Sequence, residues 1–166
     1  MDFLQDREPA QGSTSVSVAE SATANQFVTF TCGRRLFGIE IMSVREIRKW
    51  SETTPMPNQP YGACGVLDIR GSIVEIYDLA SMLGAHSEQD EASKVILVVS
   101  LGSRDVGVIA DTVSDIIFAK PDDLRPAPNG QGRGDTTVSK LVKSGDQLIA
   151  VLDLDVLFPS YTAHLQ

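Results

Sequence analysis

Apolar and polar positions along the chain alternate in short runs with a period of two, and glycine-bearing turns separate the runs. That is the pattern of strands rather than helices. In the first run Val28, Phe30 and Cys32 alternate with Phe27, Thr29 and Thr31, and Gly33-Arg34-Arg35 then turns the chain into Leu36-Phe37-Gly38-Ile39. The spacing predicts a β-hairpin. A second hairpin is predicted from Gly65 to Tyr77, with Arg70-Gly71 at or beside its turn. Between the two, Pro55, Pro57 and Pro60 forbid a continuous helix or ladder, so 53–62 reads as an extended, rigid connector.

The pattern repeats. A shift of about 69 residues brings Phe27-Val28-Thr29-Phe30-Thr31-Cys32-Gly33 onto Ile96-Leu97-Val98-Val99-Ser100-Leu101-Gly102, and Gly38-Ile39 onto Gly107-Val108. Val44, Glu46 and Ile47 fall on Val113, Asp115 and Ile116. A shift of about 75 brings Ile73-Val74-Glu75-Ile76-Tyr77-Asp78-Leu79 onto Leu148-Ile149-Ala150-Val151-Leu152-Asp153-Leu154. Each of these runs follows a turn and leads into a short helix-like segment, and the extra residues fit the loop 121–135, rich in Pro, Gly and charge. Glycines mark special backbone positions, so their agreement favours duplication over chance alternation. The fold class is therefore mainly β with short helices: two duplicated halves, about 26–84 and 94–158, each suited to a small closed barrel of about five strands that hides its edges. Halves this small are marginal alone, so they pack tightly on each other or exchange strands.

Composition and charge narrow the function. A chain of 166 residues with 42% hydrophobic and 22% charged residues has the make-up of a packed globular protein. Residues 1–24 break the pattern. They are rich in Ser, Thr, Ala and Gln with no periodicity, and read as a tail; 161–166 form a second, short tail around a domain spanning 25–160. The net charge is −8, of which the first tail carries −3, so the folded part is acidic as well. Its field repels phosphate backbones and anionic headgroups, which argues against nucleic acid and membrane surfaces as partners. The N-terminus lacks the cationic start and apolar stretch of a secretory signal, and no run is long enough to span a bilayer, so a cytoplasmic location is expected.

Residue chemistry points to binding rather than catalysis. Cys32 and Cys64 lie in apolar stretches without a CxxC or a ligand-spaced His, so neither a disulfide nor a metal site is expected. His86 and His164, the only imidazoles, have no nucleophile or acid in local register. Asp78 and Asp153, at repeat-equivalent positions before short helices, read as caps. The stretch Gly130-Gln131-Gly132-Arg133-Gly134-Asp135 lacks the third glycine of a dinucleotide fingerprint and the Gly-Lys-Ser/Thr ending of a P-loop, and reads as a flexible loop. No cofactor is expected. What remains is surface recognition. Arg45, Glu46, Arg48 and Lys49 surround Val44 and Ile47, either as a solvated face or as a rim around an apolar contact. Arg70 at its tight turn is presented outward, either as a solvated residue or as an anchor.

Taken in order, these motifs resemble the CheW family of chemotaxis adaptors. The resemblance runs from about Gln26 to Phe158 through Gln26-Phe27-Val28-Thr29-Phe30, Phe37-Gly38-Ile39-Glu40-Ile41, Val44-Arg45-Glu46-Ile47 and Gly65-Val66-Leu67-Asp68-Ile69-Arg70-Gly71 with Tyr77-Asp78-Leu79. It continues through 106–116 and Val151-Leu152-Asp153-Leu154. It implies two five-stranded barrels packed together, no enzymatic activity, and two partners: the regulatory domain of a CheA-type histidine kinase and the cytoplasmic tip of a chemoreceptor. By motif position, Val44 and Glu46 are similar to receptor-contacting residues, and Arg70 resembles the arginine of the family's Asn-aliphatic-Arg-Gly turn. The chain departs from the family pattern at Asp68, usually Asn, and at Glu75, often Pro, where an added carboxylate is available to pair with Arg70. Two other readings stay open: a CheW-like scaffold in a chemosensory pathway that does not control motility, and a small-ligand-binding barrel, which would need a concave polar pocket.

Overall fold

The structure is a computed structural model that describes residues 25–128 and 137–159. The tails expected at 1–24 and 161–166, the loop 130–135 and His164 lie outside the described residues. Among the described residues, eleven strands form in chain order. The first half supplies β1 (Gln26–Cys32), β2 (Arg35–Glu40), β3 (Val44–Lys49), β4 (Ala63–Ile69) and β5 (Ser72–Asp78), then helix α1 (Leu79–Leu83). The second supplies β6 (Val95–Leu101), β7 (Arg104–Ala110), β8 (Thr112–Phe118), the short β9 (Leu124–Pro126), β10 (Val138–Ser144) and β11 (Gln147–Leu152), then helix α2 (Leu154–Leu157). Both hairpins predicted from sequence form, with two-residue loops at Gly33-Arg34 and Arg70-Gly71. All four loop residues have positive φ, as a type I′ turn requires.

Two sheets result, with strand orders β8-β1-β2-β11-β10-β9 and β3-β6-β7-β5-β4. Under the repeat, β3-β6-β7-β5-β4 maps onto β8-β1-β2-β11-β10, strand for strand. The halves do exchange strands: each sheet receives the first hairpin of the other half. β1 and β2 sit between β8 and β11, while β6 and β7 sit between β3 and β5. The central pairings β2–β11 and β5–β7 are both parallel, and Gly38 opposite Val151 repeats Gly107 opposite Ile76. Register irregularities recur as well, at Arg45 and Ser114 and again at Cys64 and Ser139. β9 has a counterpart in Thr54, which pairs with Val66 of β4 through two backbone hydrogen bonds of 3.0 and 2.9 Å. Each sheet is thus closed along its seam by the chain that continues beyond β3 or β8.

Burial follows from this topology. β1 and β6 share one burial pattern along their lengths, because each strand faces its own barrel interior on one side and the second sheet on the other. Val28, Phe30, Leu97, Val99, Val106 and Val108 build the cluster between the sheets. Ile69, Val74, Ile76, Ile96, Val98 and Ile109 fill one barrel; Phe27, Ala119, Val142, Ile149 and Val151 fill the other. Phe27 and Thr29, grouped with the polar side of β1 by alternation alone, are buried for the same reason. The Thr29 hydroxyl donates to the Asp115 carbonyl at 3.1 Å, which satisfies it inside.

The strand glycines have a packing cause. A Cβ on Gly107 would sit 2.5 Å from Cδ1 of Ile76 and 3.1 Å from Cγ2 of Ile96, inside a filled barrel. Gly107→Ala is therefore expected to lower stability by about 1 to 3 kcal/mol, the usual cost of overpacking a core. The check is the urea midpoint at unchanged m-value.

Candidate functional site: the seam of the five-stranded barrel

Arg70 and Glu46 lie far apart in sequence, at the β4–β5 turn and on β3, and these strands are the two edges of the five-stranded sheet. Closure of the barrel brings the edges together. One Arg70 Nη2 donates to Glu46 Oε2 at 3.5 Å, an ion pair lying across the seam. The arginine side chain is 80% exposed and the glutamate 24%, so the fork lies at the surface over a partly buried carboxylate. Neither Asp68 nor Glu75 takes the partner role expected for an added carboxylate. Asp68 Oδ1 accepts from the Gly71 N–H at 2.8 Å and braces the turn, and Glu75 Oε2 accepts from the Tyr77 hydroxyl at 3.1 Å. Arg70 itself sits at φ +53, a left-handed conformation that costs a non-glycine residue about 1 kcal/mol or more.

The strands that carry this pair also present exposed apolar and charged residues. Ile47 on β3 is 44% exposed and Ile73 at the start of β5 is 66% exposed. Arg45 reaches Asp105 of β7 at 3.6 Å. A cleft of about 320 Å³ at this end of the barrel is lined by Arg45, Ser72, Ile73, Glu75, Arg104 and Asp105. Val44, the third residue singled out from sequence, is only half-exposed and packs against the cluster between the sheets. Beside it, Ser43 lines a second cleft of about 280 Å³ between the sheets, with Glu40, Leu101, Lys140 and Leu154 on its walls. Lys140 Nζ donates to Glu40 Oε1 at 3.3 Å there. Sequence reasoning singled out Glu46 and Arg70 separately but missed their pairing, along with Ile73 and Asp105. Ile73 carried a signal, as the apolar residue two places beyond the Arg70-Gly71 turn.

The two caps differ. Asp153 Oδ1 accepts from the N–H groups of Asp155 and Val156 at 3.1 and 3.3 Å, an N-cap of α2. Asp78 makes no such bond to α1. Its Oδ2 accepts from the Ser81 hydroxyl at 2.7 Å instead, because a side chain three residues on competes for the carboxylate.

The cysteines are chemically quiet. Burial, then the Asp111 and Asp78 carboxylates, push the Cys32 thiol from 9.0 up to about 12, and burial raises Cys64 too. Cys32 is expected to resist alkylation near pH 8 in the folded chain and to react once urea unfolds it. The folded thiol keeps its proton where the unfolded one loses it, so this contribution to stability is complete below 9.0 and declines as pH rises toward 12. Urea midpoints across that interval test it. Among the described residues, no group of three or more His, Cys, Asp or Glu is placed to hold a metal ion, and no helix is long and apolar enough to cross a membrane.

Barrel interiors filled by apolar side chains, a duplicated strand exchange and an ion pair across the barrel seam define a double-barrel β module. The family model described as CheW-like domain matches residues 26–161, and the chain belongs to that family. The chemotaxis protein CheW of Rhizobium meliloti (strain 1021) is 34% identical over 136 residues, covering 81% of this chain and 88% of that protein. The chemotaxis protein CheW of Klebsiella aerogenes is 30% identical over 148 residues, 89% of each chain. The scaffolding protein TtCheW from Thermoanaerobacter tengcongensis superposes with a TM-score of 0.74 at 25% identity, over 81% of this chain and 92% of its own. These likenesses place the chain among chemotaxis adaptor and scaffold proteins.

Proposed function

We propose that the chain is a non-enzymatic, cytoplasmic adaptor that couples chemoreceptors to a CheA-type histidine kinase in bacterial chemotaxis signalling. The observation that carries this reading is the Glu46–Arg70 pair, which lies across the barrel seam with the arginine exposed. An outward arginine fork beside a carboxylate, on a barrel edge that also presents exposed apolar residues, is the make-up of a protein-binding anchor. The kinase regulatory domain and the receptor tip are its two partners, with Val44 and Glu46 on the receptor side. The mechanism is geometric: filled, interlocked barrels form a stiff body, and a stiff body holding two partners at once raises the effective concentration of each at the other. The filled interiors weigh against a small-ligand barrel, whose binding would need that volume.

The test is a three-component pull-down. A tagged version of the full chain is mixed with the kinase regulatory domain and with a receptor signalling tip, separately and together. Each is expected to be retained, and all three to co-elute. Retention of neither would sink the reading.

A further inference from the structure

Each sheet is completed by strands from both halves, and one covalent connection joins the halves: 84–94, from the glycine that ends α1 to the start of β6. Gly84 sits at φ +68, and apart from Ala85 and Ala92 the segment beyond it is polar. Its attachment to the body centres on Asp111, at the corner between β7 and β8 and only 8% exposed. Ser87 Oγ donates to Asp111 Oδ1 at 2.7 Å, and Gln89 Nε2 donates to the Asp111 carbonyl at 2.7 Å. The other carboxylate oxygen, Oδ2, accepts from the Gly33 N–H at 2.9 Å. A single residue of the second half thus ties the connection to the turn of the hairpin that the first half has given away. The ion pair across this region, Arg34 with Glu88 at 3.4 Å, is solvent-exposed on both sides and adds little.

The surfaces by which the halves recognise each other are the pairings β1–β8, β2–β11, β3–β6 and β5–β7. None of them depends on whether the second half belongs to the same chain. Only the connection favours the closed monomer, by keeping the second half at high effective concentration. We propose that 84–94 is a hinge through which two copies of this chain exchange halves, the first half of each completing the barrels of the other, and that Asp111 is the latch that keeps the hinge closed. Swapping of this kind preserves every native contact except those at the hinge.

The test uses the full chain with a built-in reporter. The hydroxyls of Thr31 and Thr112 lie 2.6 Å apart, one in each half. In a chain carrying Thr31→Cys and Thr112→Cys, oxidation gives an intrachain disulfide in the closed monomer and an interchain disulfide in the exchanged dimer. Deleting Glu88-Gln89-Asp90 shortens the closed path, and short hinges favour swapping. The shortened chain is expected to elute at twice the monomer mass, with the reporter disulfide joining two chains on a non-reducing gel. A monomer, or a dimer whose disulfide closes within one chain, overturns exchange. Asp111→Ala combined with Gln89→Ala, which together remove both ties of the connection to Asp111, is the second arm, with the hinge at full length. It is expected to raise the dimer fraction at high protein concentration, with the same interchain disulfide. Should the shortened chain fail to fold, this arm decides, and a strictly monomeric doubly substituted chain overturns the proposal.

Discussion

Charge reversal at Arg70 is expected to weaken binding to at least one of the two partners by about 2 to 5 kcal/mol, roughly thirtyfold or more, while the fold persists. On the proposed reading, the substitution removes a charge-assisted contact to a partner carboxylate and adds repulsion in its place. Its cost to the isolated protein is small, because an exposed ion pair such as that with Glu46 contributes at most about 1 kcal/mol. A matched control exists within the molecule. Arg34 also occupies a two-residue hairpin loop at positive φ, and it too pairs with a glutamate, Glu88, on an exposed surface. Arg34→Glu therefore reproduces the loss of an exposed pair and the backbone cost without touching the seam. Titration of both variants against the kinase regulatory domain and the receptor tip, with circular dichroism as the fold check, separates the two positions. Native affinity of Arg70→Glu for both partners would remove Arg70 from the interface.

The second large effect concerns stability. Gly65 stands at φ +141, where side chains are rarely tolerated, and a Cβ there would lie 2.4 Å from the Thr54 carbonyl oxygen. That atom is backbone, and Thr54 is the residue whose two hydrogen bonds to Val66 close the five-stranded barrel. Gly65→Ala must open the seam as well as adopt a strained conformation. A loss of about 3 kcal/mol or more is expected, from about 1 to 3 for the backbone and the rest for the broken closure. Gly145→Ala supplies the comparison: its φ is +61 and nothing lies within 4 Å of its Cβ, so only backbone strain of about 1 kcal/mol applies. Equal midpoints in urea for the two variants would show that seam closure contributes nothing.

The two repeat offsets, read from sequence alone, carried much of the architecture. They predicted the equivalence of Gly38 with Gly107 and of Asp78 with Asp153. The hairpins at Gly33-Arg34 and Arg70-Gly71 were legible because turn chemistry is local. Strand exchange was one of two expectations, but which hairpins exchange was not legible, because an offset says which segments are alike and not which ones pair. For the same reason Glu46 and Arg70 were found as separate candidates. Their meeting depends on barrel closure, which joins strands that no local pattern connects. Asp68 illustrates the reverse: its role bracing the Gly71 N–H is a local turn interaction, open to a reading of the Asp-x-Arg-Gly spacing, whereas pairing with Arg70 is ruled out only by the folded geometry.

The interleaved topology also constrains how the protein is made. All strands of the β3-β6-β7-β5-β4 sheet are available once Ala110 has been translated, whereas β1 and β2, synthesised ahead of them, wait for β8 and β11. Gln26 pairs with Phe118 and Gly38 with Val151, so the first hairpin stands with open edges through most of translation. Pairings this distant in sequence slow folding and lengthen exposure to aggregation. The wait reaches the other barrel too, because Val28 and Phe30 of the stranded hairpin share one buried cluster with Leu97 and Val108. The barrel that can close first therefore keeps an uncovered apolar flank until the last strand arrives, and a ribosome stalled before β11 would release a chain with both liabilities at once.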